Sequence, residues 1–337
     1  LSLGYSLAER KALDWLCNAS PDANWELPMI DRAELETQPD GYKLFVRRYG
    51  ADSPRGLVQL FHGMGEHSGR YLPVIKALGE AGYLCVMHDH RSMGRSAAPN
   101  DVPLGAMQDK AGWPKMKEDA LQLAQDLKAE YPGLPLALIG HSLGSFLVQD
   151  IMTSPEASRY DAFVLSGTNG RPSAKSQLGK PIILLQRALQ GRYAPATWIH
   201  RISFDEFNRP FKPIGTDQDW LSRDPANADA FIADPLCGPI FTTESWWQLA
   251  GVFGHLAQQK VIDQLITDRP IWLFSGSEDS LNEGGKGLEQ LADSWRAVGA
   301  KDLSLTLYPG ARHECFNETN RDEVIADLLT WLAAKLA

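Results

Sequence analysis

Gly140-His141-Ser142-Leu143-Gly144 has the form G-x-S-x-G, with the apolar run PLALI before it and the helix-compatible SFLVQDIM after it. A serine on a strained strand-to-helix turn carries its Oγ at the end of a sheet, and flanking glycines are needed because a Cβ there would crowd the neighbouring chain. A hydroxyl attacks a carbonyl only when a base takes its proton, and in this arrangement the acid and then the histidine follow the serine, each just past a strand end. Asp279 follows PIWLFSGSE and His313 follows LSLTLYPGAR, so both stand where that order requires. Glu278 and Glu283 are rival acids, but Asp279 fits the strand end better. His313 would accept the Ser142 proton and return it to the leaving group, while Asp279 would hold the imidazole tautomer and stabilise the imidazolium.

An attacked carbonyl also needs donors for its developing oxyanion. The N–H of Leu143, the residue after the nucleophile, is one; the other comes from the loop after an earlier strand. His62-Gly63-Met64-Gly65-Glu66-His67 follows LVQLF directly, which makes the Met64 N–H the expected second donor. This chemistry calls for no cofactor and no metal. His88 and His90 share one side of a strand-like run, yet no third ligand stands at usable spacing. His62, His67 and His141 read as orienting or packing residues around the site, and His200 and His255 carry no role.

These residues need a frame. RAELETQ and YKLFVRRYG, joined by Pro39-Asp40-Gly41, read as a hairpin over 32–50. Beyond it come GLVQLFHG (56–63), YLCVMHD (83–89), LPLALIGHS (134–142), DAFVLSG (161–167), PIWLFSG (270–276) and LSLTLYPG (303–310), with helical stretches between. Runs that are apolar throughout suit strands covered on both faces, as in a parallel sheet with βαβ crossovers. The spacing of Tyr71, Val74, Ile75 and Leu78 predicts a helix over 70–81. A last helix begins at Asn320 as N-cap with Glu323 at the capping-box position. The fold expected is an α/β-hydrolase fold: a mostly parallel central sheet flanked by helices, with an inserted cap. The core would occupy residues 1–169 and 254–337, and the cap 170–253, where the strand rhythm stops and aromatics such as Trp198, Trp220 and Phe231 accumulate.

With 42 acidic against 33 basic side chains the formal charge is −9, which repels phosphate backbones and excludes nucleic acid as a partner. Cys17, Cys85, Cys237 and Cys315 lack zinc-like or disulfide-framework spacing, and no run approaches the length of a membrane span. The start LSLGYSLAERKALDW lacks the basic and apolar regions of a signal peptide. A cytoplasmic location is expected. Against the acidic average, Arg171, Lys175, Lys180, Arg187, Arg192 and Arg201 stand in a stretch with no acid, around the amphipathic PIILLQRALQ. Peripheral membrane contact through this part of the cap is expected if its cations are free. The competing expectation has its leucines close the pocket and pairs its cations with Asp217, Asp219, Asp224 and other acids later in the cap.

The chain resembles the monoacylglycerol lipase and lysophospholipase group of α/β-hydrolases, in its bacterial branch, through HGMGEHSGRY (62–71), HDHRSMGRS (88–96), GHSLGS (140–145), SRDPANADAFIADPLCG (222–238), SGSED (275–279) and YPGARHE (308–314). The resemblance runs from about residue 40 onward. It implies Ser142, Asp279 and His313 as triad, Met64 and Leu143 as oxyanion donors, and residues from about 170 to 253 as a cap over an acyl-chain pocket. Two departures stand out: Arg91-Ser92 where the family commonly has Arg-Gly, and a loosely matching 171–212. The activity implied is hydrolysis of single-chain lipid esters through an acyl-enzyme on Ser142. A thioesterase or small-ester carboxylesterase would use the same triad, and a non-catalytic binding protein of this fold is the reading from another class.

Overall fold

The computed structural model describes residues 29–107, 112–170 and 179–336; Cys17, Arg171 and Lys175 lie outside them. The hairpin forms from β1 (Met29–Thr37) and β2 (Lys43–Ala51), antiparallel, about a turn in which Gly41 takes φ 86° and donates to Gln38 O at 2.8 Å. Then β3 (Gly56–Phe61), α1 (Leu72–Glu80), β4 (Tyr83–His88), α2 (Gly112–Glu130), β5 (Leu136–His141), α3 (Leu143–Met152) and β6 (Ala162–Ser166) alternate strand with helix. Five helices follow without a sheet strand among the described residues: α4 (Gly179–Gln190), α5 (Thr197–Asn208), α6 (Pro225–Ala233), α7 (Thr243–Leu256) and α8 (Gln259–Ile262). The alternation resumes with β7 (Ile271–Gly276), α9 (Lys286–Ala297), β8 (Leu303–Tyr308) and α10 (Arg321–Lys335).

The sheet has eight strands in the order β1-β2-β4-β3-β5-β6-β7-β8, parallel from β4 to β8. This is the α/β-hydrolase fold. Strand pleating sends successive side chains to opposite faces. Leu57 and Phe61 of β3 and Leu136 and Leu138 of β5 enter one core with α2, α3 and α9. Val58, Leu60, Ala137 and Ile139 enter the other with α1 and α10. Being covered twice is why these strands read as unbroken apolar runs. β8 differs: at the sheet edge only Tyr308 is buried, and its sequence LSLTLY alternates accordingly. α7 runs through residue 253 and plants Leu249 and Leu256 in the first core.

Three local outcomes refine the sequence reading. The helix expected over 70–81 is a 3-10 turn, Ser68–Tyr71, followed by α1, with Pro73 in its first turn. Asn320 precedes α10 without capping it through its side chain. Its Oδ1 instead accepts from Arg223 Nη2 at 3.1 Å, and its Nδ2 donates to Glu323 at 2.8 Å. Ser92 takes φ 59°, the left-handed region that glycine occupies without strain, and its Oγ is buried without a partner among the described residues. Ser92→Gly removes backbone strain of about 1–2 kcal/mol and an unpaired hydroxyl of about 1–3 kcal/mol, against about 0.5–1 kcal/mol of added chain entropy. The expected result is a higher urea midpoint at unchanged slope; a lower midpoint would show that Ser92 contributes a favourable contact.

Candidate active site

The turn between β5 and α3 is built around its serine. Ser142 takes φ 50° and ψ −117°, its N–H donates to Ser166 O on β6 at 2.9 Å, and its carbonyl accepts from Ser145 N and Oγ at 2.9 and 2.6 Å. The glycines on either side are obligatory for close approach. A Cβ on Gly140 would stand 2.5 Å from Gly144 O, and one on Gly144 would stand 2.6 Å from Phe61 O. A non-glycine residue held at positive φ by this many bonds is stored strain at the end of the sheet.

The loop after β3 faces this turn, since a Cβ on Gly63 would lie 3.2 Å from Ser142 Cβ. His62 Nε2 accepts from His90 N at 2.9 Å, so Nδ1 carries the proton and donates to Gly63 O at 2.8 Å. Tying down the Gly63 carbonyl turns the N–H of the same peptide, that of Met64, the opposite way. Glu66 Oε1 fixes the other side of Gly63, accepting from its N–H at 2.5 Å and from Tyr71 OH at 2.6 Å. Neither Met64 N–H nor Leu143 N–H has an acceptor among the described residues.

At the ends of β7 and β8 the acid and the histidine meet. His313 Nδ1 donates to Asp279 Oδ2 at 2.9 Å, and both side chains are buried. Asp279 Oδ2 also accepts from Ser275 Oγ at 2.6 Å and Asn282 Nδ2 at 3.1 Å, and Oδ1 accepts from Leu281 N at 2.9 Å. Burial alone would raise the carboxyl, but the His313 charge and these donors outweigh it and hold it below its ordinary value. Glu278 and Glu283 are exposed and take no part. His313 Nε2, the nitrogen that would serve Ser142 in the expected triad, is buried without a partner among the described residues, and its ring lies 4.8 Å from that of His141, the neighbour of Ser142. Burial pushes the imidazole down, yet Asp279, with Glu314 and Glu66 behind it, outweighs this and raises it above 6.5.

The sign of a pH effect follows. A base must be neutral, and a raised value keeps it charged to higher pH, so kcat/KM on a soluble ester is expected to climb with pH, its midpoint above 6.5. A rate flat between about pH 5 and 8 would exclude a histidine base, provided chemistry limits turnover.

The family model Hydrolase_4, described as "Serine aminopeptidase, S33", matches residues 52–320. The chain belongs to this family. It is 29% identical to the monoacylglycerol lipase of Mycolicibacterium smegmatis over 84% of this chain and 90% of that one. It is 27% identical to the monoglyceride lipase of Homo sapiens, over 92% and 93%. A carboxyl esterase from Bacillus coagulans, solved in complex with glycerol, matches with a TM-score of 0.83 at 25% identity, over 92% of this chain and all of that one. Family, relatives and fold make the chain a carboxylic ester hydrolase.

Several residues of this hydrolase's site were not readable as such. Arg70 bonds Glu314 at 3.0 and 2.6 Å, reaches Glu66 at 3.5 Å, donates to Asn227 at 2.7 Å and stacks on Phe231 at 4.7 Å. It thereby ties the Met64 loop, the His313 loop and α6 together; the i,i+4 spacing of Glu66 and Arg70 was the signal. Trp220 packs on His313 with ring centroids 4.8 Å apart. His67 bonds Asp234 at 2.8 Å and Gly69 N at 3.1 Å, and Cys237 completes the group of possible metal ligands. His88 and His90 spend ring nitrogens on each other at 3.1 Å, and burial pushes His88 to about 3.

Two cations of the helical segment pair with a later acid of the cap, as the competing expectation has it. Arg187 and Arg192 both bond the buried Glu244, at 2.5 and 2.9 Å, rather than Asp217, Asp219 or Asp224. Asp219 serves Gly215 N and Thr216, and Asp224 caps α6. Leu184, Leu185 and Leu189 are about half exposed or more, while Gln186 is buried and bonded to Pro195 O and Thr197. A cavity of about 370 Å³ lies between α4 and α7, lined by Lys180, Arg187, Glu244 and Trp247 and by no member of the expected triad.

Proposed function

We propose that this hydrolase cleaves carboxylic esters of single-chain lipids, of monoacylglycerol or lysophospholipid type, through an acyl-enzyme on Ser142. The observation that carries the reading is the buried Asp279–His313 pair, its imidazole 4.8 Å from the ring of His141, which precedes a serine held at φ 50°. Ser142 Oγ attacks the ester carbonyl as His313 Nε2 takes its proton, and Met64 and Leu143 N–H receive the oxyanion. Collapse expels the alcohol, protonated by His313; water then repeats the sequence and frees the acid. The substrate class draws on relatives named for monoacylglycerol hydrolysis and on the exposed leucines of α4.

Residues 170–253 act in this reading as the cap. Glu244 offsets one of the two charges of Arg187 and Arg192 and holds both side chains, so the cap meets lipid aggregates chiefly through the exposed Leu184, Leu185 and Leu189. The contact proposed is peripheral, and among the described residues no helix is long and apolar enough to cross a membrane. The test is a fluorophosphonate label on Ser142 followed by a panel of monoacylglycerols, lysophospholipids, acyl-CoA and short nitrophenyl esters. Single-chain glycerol esters should give the highest kcat/KM. Preference for acyl-CoA or short esters would move the assignment to a thioesterase or small-ester esterase, and no label would leave a binding protein. Leu184→Gln/Leu185→Gln/Leu189→Gln should lower hydrolysis of vesicle-borne substrate about tenfold or more, at roughly 1.5–3 kcal/mol per buried leucine, and spare a soluble ester; equal loss on both would make the leucines part of the pocket.

A further inference from the structure

We propose that Trp220 is a catalytic residue whose indole face stabilises the imidazolium form of His313. The inference rests on His313 being the base of the reaction. The two rings lie with centroids 4.8 Å apart and planes inclined by only 30°, so the indole presents its face rather than its edge. A cation within about 6 Å of an aromatic centroid is drawn to the negative face of the ring, and tryptophan is the strongest of the aromatic partners. His313 is neutral while it waits and becomes a cation only as it takes the serine proton. An attraction that exists for the cation and not for the neutral ring is made in the transition state alone, which is the kind that accelerates the chemical step.

The surroundings favour the effect. Trp220 is 6% exposed and His313 1%, so water neither screens the charge nor competes for the ring. The indole also packs against Phe207 at 4.9 Å and Phe204 at 5.7 Å. The backbone N–H of Trp220 donates to Asn208 Oδ1 at 2.9 Å and anchors the main chain. The strap that carries it runs along the base: His313 N donates to Trp220 O at 3.4 Å and Glu314 N to Leu221 O at 2.7 Å. A cap residue is thus fixed to the catalytic loop by backbone bonds.

Other groups also act on the charge of His313. Asp279 faces it from the connection after β7, Glu66 from the loop after β3 and Glu314 from its own loop. Arg70 pairs with both glutamates and offsets them. His141, at the end of β5, is kept neutral because burial pushes it to about 3. Asp279 favours the cation through its charge and its hydrogen bond, and the indole face adds a further attraction for the cation from the other element packed on the ring.

The experiment grades the ring without changing its shape. Mono-, di- and trifluorotryptophan are placed at position 220 by nonsense suppression, alongside Trp220→Phe and Trp220→Leu, and kcat/KM on a short nitrophenyl ester is followed against pH. Fluorine draws density from the indole face, so the midpoint of the acid limb should move stepwise to lower pH and the plateau should fall, reaching about 3- to 30-fold at the end of the series. A wild-type midpoint and plateau throughout the fluorinated series would overturn the proposal, whatever the leucine variant does. So would a Trp220→Leu protein that loses rate with an unmoved midpoint, since that is the mark of packing alone. His313→Ala separates the two readings: if it retains activity the base assignment fails, and if it is inactive while fluorination does nothing, only the role of Trp220 fails.

Discussion

Ser142→Ala and His313→Ala are each expected to lower kcat on a soluble ester by roughly four to six orders of magnitude, and the double variant to cost little more than either alone. The reason is that in the proposed mechanism the serine is a nucleophile only when His313 Nε2 takes its proton, so removing either leaves the other without a function. What remains is binding and the Met64 and Leu143 donors, which alone still exceed the uncatalysed rate in enzymes of this kind. Folding is not at risk in Ser142→Ala, because the bonds that hold the turn come from the backbone of Ser142, to Ser166 O, Ser145 and Phe146. The urea midpoint should therefore match the parent. Losses that multiply in the double variant would show that Ser142 and His313 act in separate steps.

What the sequence could show of this site depended on how locally each feature is encoded. The strands β3 to β7 were readable because coverage on both faces demands an unbroken apolar run, and β8, covered poorly at the edge, betrayed itself only by its alternation. Ser142 was readable because the turn demands Gly140 and Gly144 at fixed offsets. Asp279 and His313 were readable as residues just past strand ends, since order along the chain stands in for position along the sheet. Features made by two distant segments left no such trace. Ser275 and Asn282 converge on Asp279 through the β7–α9 connection, and Trp220 reaches His313 from a segment with no period at all. In α4 the periodicity marks a stripe of leucines but not which side the rest of the protein covers; the structure buries Gln186 and exposes Leu185 and Leu189. That Arg187 and Arg192 pair with a later acid of the cap was legible, but not which acid: Glu244 reaches them only because α7 packs beside α4.

The second large effect separates the acids. Asp279→Asn is expected to lower kcat by about 10⁴, while Glu278→Gln changes it by less than about twofold. Asp279 Oδ2 stands among three donors, Ser275 Oγ, Asn282 Nδ2 and His313 Nδ1, and Oδ1 receives Leu281 N–H. An asparagine must turn its NH₂ toward one of these sets, and either choice places donor against donor. With its NH₂ toward His313, the imidazole is driven to the other tautomer: Nδ1 accepts and Nε2 carries the proton, so it can no longer take one from Ser142. With its oxygen there, the tautomer survives but the charge that stabilises the imidazolium is gone. Either way the support that raises His313 above 6.5 is lost, so whatever activity remains should have its acid limb at lower pH than the parent. Glu278 is exposed, and its backbone N–H to Ala311 O, at 2.9 Å, survives the change to glutamine. A Glu278→Gln protein more damaged than Asp279→Asn, or an Asp279→Asn protein whose acid limb stays where the parent has it, would mean that another carboxylate orients the base.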